Sequence, residues 1–374
     1  MNILQLESSL EWGGCEKRCL QEVTWLRRHG HNAWIACEPK GKFSKMTDSE
    51  AQPWLLPVHF GCSVNVTAVG ELFRIVRKKK VQVVHSHEAI DSSLALPLYW
   101  AGIPLVRSRH WMINRHPNWG KKNFFQHSCN KLIATSKEIL ETFRDNYQIP
   151  SNKLVMIGEG ADSPPSVEEI SRLRDHFRKT WGIPAEAPVF GIIGIIRGEK
   201  GHFSFLEAAF RILQQQSNAY FVIVGEGAME RTLELRCIDM LRQKSREFPG
   251  IHTRIILTGF YQDIHEPYCG IDVIVIPSSS EGQSKVGPEA LMHGKAVIAS
   301  RVGGLPEIIE NEKTGLLIPP NNVDALYSAM LSLAKDNSLR QKLARQGRDY
   351  AQAHLRFDLR MEELLSCYES CIKK

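Results

Sequence analysis

No apolar run in the 374-residue sequence approaches the roughly 18 residues that a membrane-crossing helix needs. The opening stretch, MNILQLESSLEWGG, lacks a basic segment followed by an apolar one, so no signal peptide is expected. Nine cysteines are present but none forms a CxxC pair; Cys15/Cys19 and Cys367/Cys371 stand four apart. Two such pairs can in principle converge on one metal. Free thiols in a reducing compartment are the expectation, and the compartment is then the cytoplasm. There is no HExxH, no GxSxG and no GxxxxGK[ST], so a zinc hydrolase, a nucleophile elbow and a P-loop NTPase lack support.

What is present describes an ordinary globular chain. Hydrophobic residues make up 43% and charged residues 24%, and the length suits two domains, each with its own core. Charge is uneven. Residues 1–160 hold 21 Lys/Arg and 14 Asp/Glu, a net of +7, while the remainder holds 26 and 27, a net of −1. The excess sits in RIVRKKK (74–80), RSRHWMINRH (107–116) and GKK (120–122). It is either a solvated face or a surface for an anionic membrane or acceptor. No helix-turn-helix, zinc or RNP-type motif accompanies it, so no nucleic-acid partner is expected.

Short apolar strands alternate with amphipathic helices, which argues for parallel sheets covered on both faces. Strands are expected at 2–7, 33–37, 81–87, 104–109, 131–136 and 153–158. After a Gly/Pro/Ser-rich stretch (158–169) they resume at 189–196, 220–225, 254–259, 272–277, 296–300 and 315–319. A helix over roughly 14–29 places Cys19, Leu20, Val23 and Leu26 on one face, with Gly30 as its stop. Helical periodicity at 323–334, 338–353 and 357–372 closes the chain. The reading is two doubly wound α/β domains, 1–165 and 166–355, then a C-terminal helix, 356–374, that can pack back on the first.

In such sheets ligands bind beyond the strands' carboxyl ends, which selects the loops to search. In GIIRGEKGH, Arg197 and Lys200 stand three apart where a strand meets a helix, an arrangement suited to a diphosphate or to two solvated cations. GEGAME lacks the third glycine of GxGxxG, having Glu230, and reads as a glycine turn at Gly225 with Glu226 free to accept a hydrogen bond. EWGGCEK is a tight turn at Gly13-Gly14. His85, His87 and His110 fall at strand ends, as structural or catalytic residues. EGQSKVGPEA sets Glu281 and Glu289 eight apart around a helix start, where acidic residues also simply complement a dipole.

Taken in order, these loops resemble the family 4 glycosyltransferases, most specifically over 272–320 and well at 189–202. The resemblance implies the GT-B fold, two Rossmann-like domains facing each other across a cleft. It implies a retaining, metal-independent transfer of sugar from a nucleoside-diphosphate donor to an acceptor hydroxyl, with no cofactor. Glu289 then holds the ribose and Glu281 lies beside the transferred sugar, since a carboxylate can accept from two vicinal hydroxyls. Arg197 and Lys200 neutralise the leaving diphosphate, Gly14 lets backbone approach the donor, and His110 stands near the sugar. The family's Phe-Gly after Glu281-Gly282 is replaced by Gln283-Ser284-Lys285. The amides of Gly282, Ser284, Lys285 and Val286 are still expected to reach sugar and phosphate, with Lys285 a further charge for the diphosphate. The acceptor is expected to be a glycan or lipid-linked sugar of the cell-envelope polysaccharide or lipopolysaccharide core, at the inner membrane face. A sugar-nucleotide epimerase, a phosphorylase or a silent glycan-binding GT-B protein are the alternatives.

Overall fold

The computed structural model describes residues 1–47, 49–215, 217–227, 232–247 and 250–372. Ala228, Met229 and Glu230 of the GEGAME reading lie outside the described residues. The chain forms two compact units, Met1–Gly158 with the chain from Asp358 onward, and Glu159–Phe357.

In the first unit seven strands form one parallel sheet. They are β1 (Asn2–Glu7), β2 (Asn32–Cys37), β3 (Leu55–Pro57), β4 (Val83–Ser86), β5 (Leu105–Arg109), β6 (Lys131–Ala134) and β7 (Leu154–Met156). The order is β3-β2-β1-β4-β5-β6-β7, so the direction of winding reverses between β1 and β4. Leu4, Leu6, Val84, Leu105 and Leu132 face one buried cluster with Leu72, Leu98 and Phe143. The helix Gly14–Arg28 buries Cys19, Val23 and Leu26, as its period predicts, and Gly30 takes the left-handed φ of 82° that ends it. Leu20 is only half-buried; the same helix instead buries Glu16, Arg18 and Glu22.

The second unit holds β8 (Val189–Ile193), β9 (Tyr220–Val224), β10 (Ile255–Gly259), β11 (Val273–Ile276), β12 (Ala296–Ser300) and β13 (Leu316–Ile318). Their order, β10-β9-β8-β11-β12-β13, is all parallel and reverses between β8 and β11. Alternation does the sorting. Val273 and Val275 enter one core with Phe205, Phe221 and Leu326, while Ile274 and Ile276 enter the opposite one with Tyr268, Ala290 and Leu305. Both faces are covered, which is why the strand reads VIVI rather than apolar-polar.

Two boundaries differ from expectation. The break foreseen at 165/166 falls at 158/159, and that at 355/356 falls at 357/358. Ala161 explains both: its N–H donates to Leu355 O at 2.9 Å and its carbonyl accepts from Phe357 N at 2.9 Å, which holds the stretch to the second unit. From Asp358 the helix Phe357–Ile372 joins the first unit, burying Met361, Leu364 and Tyr368.

Candidate active site

In each unit the reversal of winding marks a crevice at the strands' carboxyl ends, and the chemistry-bearing residues lie in the loops there. In the second unit these are the loop after β8 and the loop after β11. Arg197 begins a single 3-10 turn, Gly198–Lys200, before the helix His202–Leu213. The turn is clamped to the neighbouring loop by Ser279 N–H donating to Glu199 O at 2.8 Å. Lys200 Nζ then reaches Glu281 Oε1 at 2.7 Å, and Ser278 Oγ donates to the same oxygen at 2.8 Å. Glu281 is buried, and with Lys200, Ser278, Ser284 and Val286 it lines a small cavity.

Glu289 lies one turn into the helix Val286–Met292. Tyr268, fully buried, donates its hydroxyl to Glu289 Oε2 at 2.8 Å. Each glutamate is thus anchored through one oxygen, Oε1 of Glu281 and Oε2 of Glu289, with the other oxygen turned to no hydrogen bond among the described residues. Behind Glu289, His293 stacks on Tyr268 at 4.7 Å between ring centroids. Its Nδ1 is 2.7 Å from the Glu289 carbonyl and therefore donates; Nε2 accepts from His265 Nδ1 at 2.8 Å.

The remaining expected residues of the second unit lie in its carboxyl-edge loops. Gly225 (φ 138°) lies where a Cβ would overlap the carbonyl of Gly194, so the turn after β9 closes against the turn after β8. Glu226 is exposed beside it, and its carbonyl accepts from Ile196 N at 2.8 Å. Gly282 O accepts from Gly304 N at 2.7 Å. Lys285 caps the helix and sets its ammonium 6.0 Å from the centroid of Phe357, a cation–π contact that the diphosphate expectation did not foresee. Gln283 accepts from Glu159 N–H, fastening this loop to the start of the unit.

In the first unit, Gly13 precedes the helix Gly14–Arg28, and its N–H donates to Glu16 Oε2 at 2.8 Å. His87 Nδ1 and His110 Nε2 are 3.2 Å apart, beyond β4 and β5. Hydrogen-bond logic fixes which atom holds the proton. Glu22, paired with Arg18 Nε at 2.7 Å, only accepts, so Gln5 turns its amide nitrogen to it at 2.8 Å. The Gln5 carbonyl oxygen then faces His87 Nε2 at 3.3 Å and takes that proton. Burial pushes His87 down to about 4, so it is neutral and Nδ1 presents a lone pair. The proton between the two rings therefore sits on His110 Nε2. Burial likewise holds His85 well below its ordinary range; Tyr368 OH donates to its Nδ1 at 2.7 Å, and its Nε2 donates to Ser108 Oγ at 2.8 Å.

The basic stretches do not form one surface. Arg107 is buried, lying 4.7 and 4.8 Å over the rings of Phe124 and Phe125 and bonded to Ser128. In a parallel sheet the helix Val66–Lys79 ends at the strands' amino edge, just before β4, whereas residues 110–122 follow β5 at the carboxyl edge. Lys78–Lys80 and Lys121–Lys122 therefore lie at opposite ends of the sheet.

Comparison with known proteins agrees with this architecture. Residues 12–163 match the pattern described as Glycosyltransferase Family 4, and residues 187–336 match Glycosyl transferases group 1. This chain belongs to the family 4 glycosyltransferases. An Escherichia coli relative, UDP-Gal:alpha-D-GlcNAc-diphosphoundecaprenol alpha-1,3-galactosyltransferase, is 23% identical over 87% of this chain and 86% of its own. A glycosyltransferase from Rickettsia africae superposes with a TM-score of 0.83 at 20% identity, covering 100% of this chain and 99% of the other. Anabaena Alr3699/HepE in complex with UDP gives 0.80 at 19% identity, covering 99% and 100%. The fold is GT-B.

For this glycosyltransferase, sequence reading overlooked three supports of the glutamate pair: Ser278, Tyr268 and Gly303-Gly304. The last carried a signal, a Gly-Gly after the strand AVIAS, and Gly303 (φ 51°) lies where a Cβ would overlap the Glu281 carbonyl. Burial also sets a pH dependence. His202 and His293 are both pushed down to about 4. Between pH 6.5 and about 4 the unfolded chain holds these protons and the folded unit does not, so stability falls as pH is lowered through that window. The slope is about 1.4 kcal/mol per pH unit for each histidine. Melting followed from pH 7 to 5 should show a steady loss, shallower in His293→Gln; a flat profile would contradict the assignment.

Proposed function

We propose that this glycosyltransferase retains anomeric configuration, needs no metal, and takes its sugar from a nucleoside diphosphate onto a glycan or lipid-linked acceptor of the cell envelope. The observation that carries this reading is the Lys200–Glu281 contact, with Glu289 anchored on the next helix. It offers a cation for the leaving diphosphate beside two carboxylates that each keep one oxygen for sugar hydroxyls. Arg197 adds charge from the same turn. Preorganised electrostatics of this kind is usually the largest contribution to such a reaction, and it substitutes for a metal at the diphosphate. His110 serves the transferred sugar from the first unit, while Gly14 and the amides of Gly282, Ser284 and Val286 approach the donor as backbone. Lys285 contributes charge only if it leaves Phe357.

Support for the acceptor class comes from the E. coli relative, whose name specifies a diphosphoundecaprenol-linked sugar. HepE, with UDP bound, supports a UDP-sugar as the first donor to try. The test is a panel of UDP-, GDP-, ADP- and TDP-sugars, first by thermal shift and then with glycan and lipid-linked acceptors in excess EDTA. Nucleoside diphosphate should appear only when acceptor is present, and the product should keep the donor's anomeric configuration. Release without acceptor, an inverted product, or activity lost to EDTA and restored by Mg²⁺ would each contradict the proposal.

The reading extends to a membrane contact, for which the carboxyl-edge patch is the candidate surface. Trp119 is 80% exposed and precedes Lys121 and Lys122 on the helix Trp119–His127, pairing an aromatic anchor with basic charge. Sedimentation with anionic vesicles should show binding that falls with salt, weakened by Lys121→Glu with Lys122→Glu and little changed by reversing Lys78–Lys80. Equal binding to neutral vesicles, or the opposite ranking of variants, would leave this patch as solvated surface.

A further inference from the structure

We infer that the first unit contains a binding site for a zinc-class divalent cation, formed by Cys15 Sγ, His87 Nδ1 and His110 Nε2, and that filling it stops sugar transfer. The three ligand atoms lie within 4.8 Å of one another. The two nitrogens, 3.2 Å apart, already stand at about the 3.3 Å separation that tetrahedral zinc requires of ligands held at about 2.0–2.1 Å. One thiol and two imidazoles select zinc, cobalt or nickel over magnesium and calcium, which take oxygen ligands.

Three further observations favour this set. First, His87 Nδ1 carries no proton of its own and accepts from His110 Nε2–H, while its Nε2–H is held by Gln5, itself locked by Glu22 and Arg18. A metal-binding histidine almost always has its other ring N–H held in this way. Second, the surroundings are acidic. Cys15 Sγ is 3.7 Å from Glu7 Oε2, and Glu7 and Asp91 are both buried. Third, a neighbouring set shows what a closed cluster looks like. Glu22, His85 and His87 are as near to one another, but Arg18 and Gln5 occupy both Glu22 oxygens, and Tyr368 and Ser108 occupy both His85 nitrogens. Cys15 is by contrast only half-buried at the carboxyl edge, within reach of an entering ion.

Binding balances simply. The thiol gives its proton to solvent as sulfur takes the metal, and His110 moves its proton from Nε2 to Nδ1 without net loss. The fourth position is left to water. Inhibition follows because His110 is withdrawn from the sugar; this half rests on the role proposed for His110, while the binding half does not.

The experiment titrates Co²⁺ into the full, chelator-stripped chain. Expected are one equivalent bound, tetrahedral visible bands and a near-ultraviolet thiolate charge-transfer band, displaced by Zn²⁺ and not by Mg²⁺. Cys15→Ala should remove the charge-transfer band and weaken binding at least tenfold, with Cys15→Ser as a second variant should the first not fold. In transfer assays Zn²⁺ should inhibit and EDTA restore, whereas Cys15→Ala should work equally with and without Zn²⁺. No stoichiometric cobalt spectrum, or a thiolate band that survives loss of Cys15, overturns the site. A normal spectrum without zinc inhibition overturns the inhibitory half. Absence of transfer with every donor would instead defeat the proposed function and leave the cobalt result standing.

Discussion

Replacing Lys200 by alanine should lower kcat/KM by on the order of 10²–10³-fold, the scale on which a preorganised charge at a developing anion acts. The side chain reaches Glu281 at 2.7 Å and is 24% exposed, so it is held in place before any donor arrives. The truncation also leaves a buried carboxylate with Ser278 as its remaining partner, and some thermal stability should go with it. The two losses separate in a double variant. Lys200→Ala with Glu281→Gln should recover the melting temperature and stay inactive. A Lys200→Ala enzyme with near-normal turnover, or a double variant that regains activity with stability, would show that the lysine is structural.

Gly303→Ala should be nearly as damaging, although no side chain is lost. At φ 51° a Cβ costs about 1 kcal/mol in conformation alone, and here it would also overlap the Glu281 carbonyl, which is backbone and cannot turn aside. The loop carrying Glu281 and Gly282 must move, so donor affinity should fall by at least about tenfold, since a site displaced by about 1 Å loses its alignment. The melting temperature should drop by more than the 2–4 °C that about 1 kcal/mol produces in a domain of this size. Gly182→Ala is the control: its φ is 64° but a Cβ there meets nothing within 4 Å, so only the conformational cost should appear. Equal effects at the two positions would mean that the Gly303 contact does not hold the loop.

These supports show where sequence reading reaches its limit. AVIAS was legible to the residue as β12, because a buried parallel strand declares itself by a β-branched or aliphatic run. NILQLE was legible as β1 from its three aliphatic residues ahead of a Gly-Gly turn, although Gln5 and Glu7 interrupt the run. Leu55–Pro57 was not: three residues pairing only with β2 and ending in proline carry no pattern. The loops bearing Lys200, Glu281 and Glu289 could be singled out as candidates because parallel sheets put ligands at one edge. Their anchors were not, since Tyr268 and Ser278 sit in apolar or serine-rich surroundings that read as core and turn. The helix Gly14–Arg28 shows a different failure. Its apolar stripe identified the buried face, yet Arg18 and Glu22 are buried too, paired with each other at i,i+4 and with Gln5. That spacing was in the sequence, but only a folded sheet supplies the partner that makes burial tolerable. Arg107 misled for the same reason, because a count of charge has no means of seeing two phenylalanines close over a guanidinium.

The proposed donor site divides its labour between the two glutamates, and calorimetry tests that division directly. A nucleoside diphosphate and its sugar nucleotide would each be titrated into wild type, Glu281→Gln and Glu289→Gln. Loss of Glu289 should weaken both ligands by a similar factor, because both contain the ribose. Loss of Glu281 should weaken the sugar nucleotide and leave the bare diphosphate almost unchanged. Equal losses for both ligands in both variants, or none in either, would contradict the assignment of this pair as the donor site.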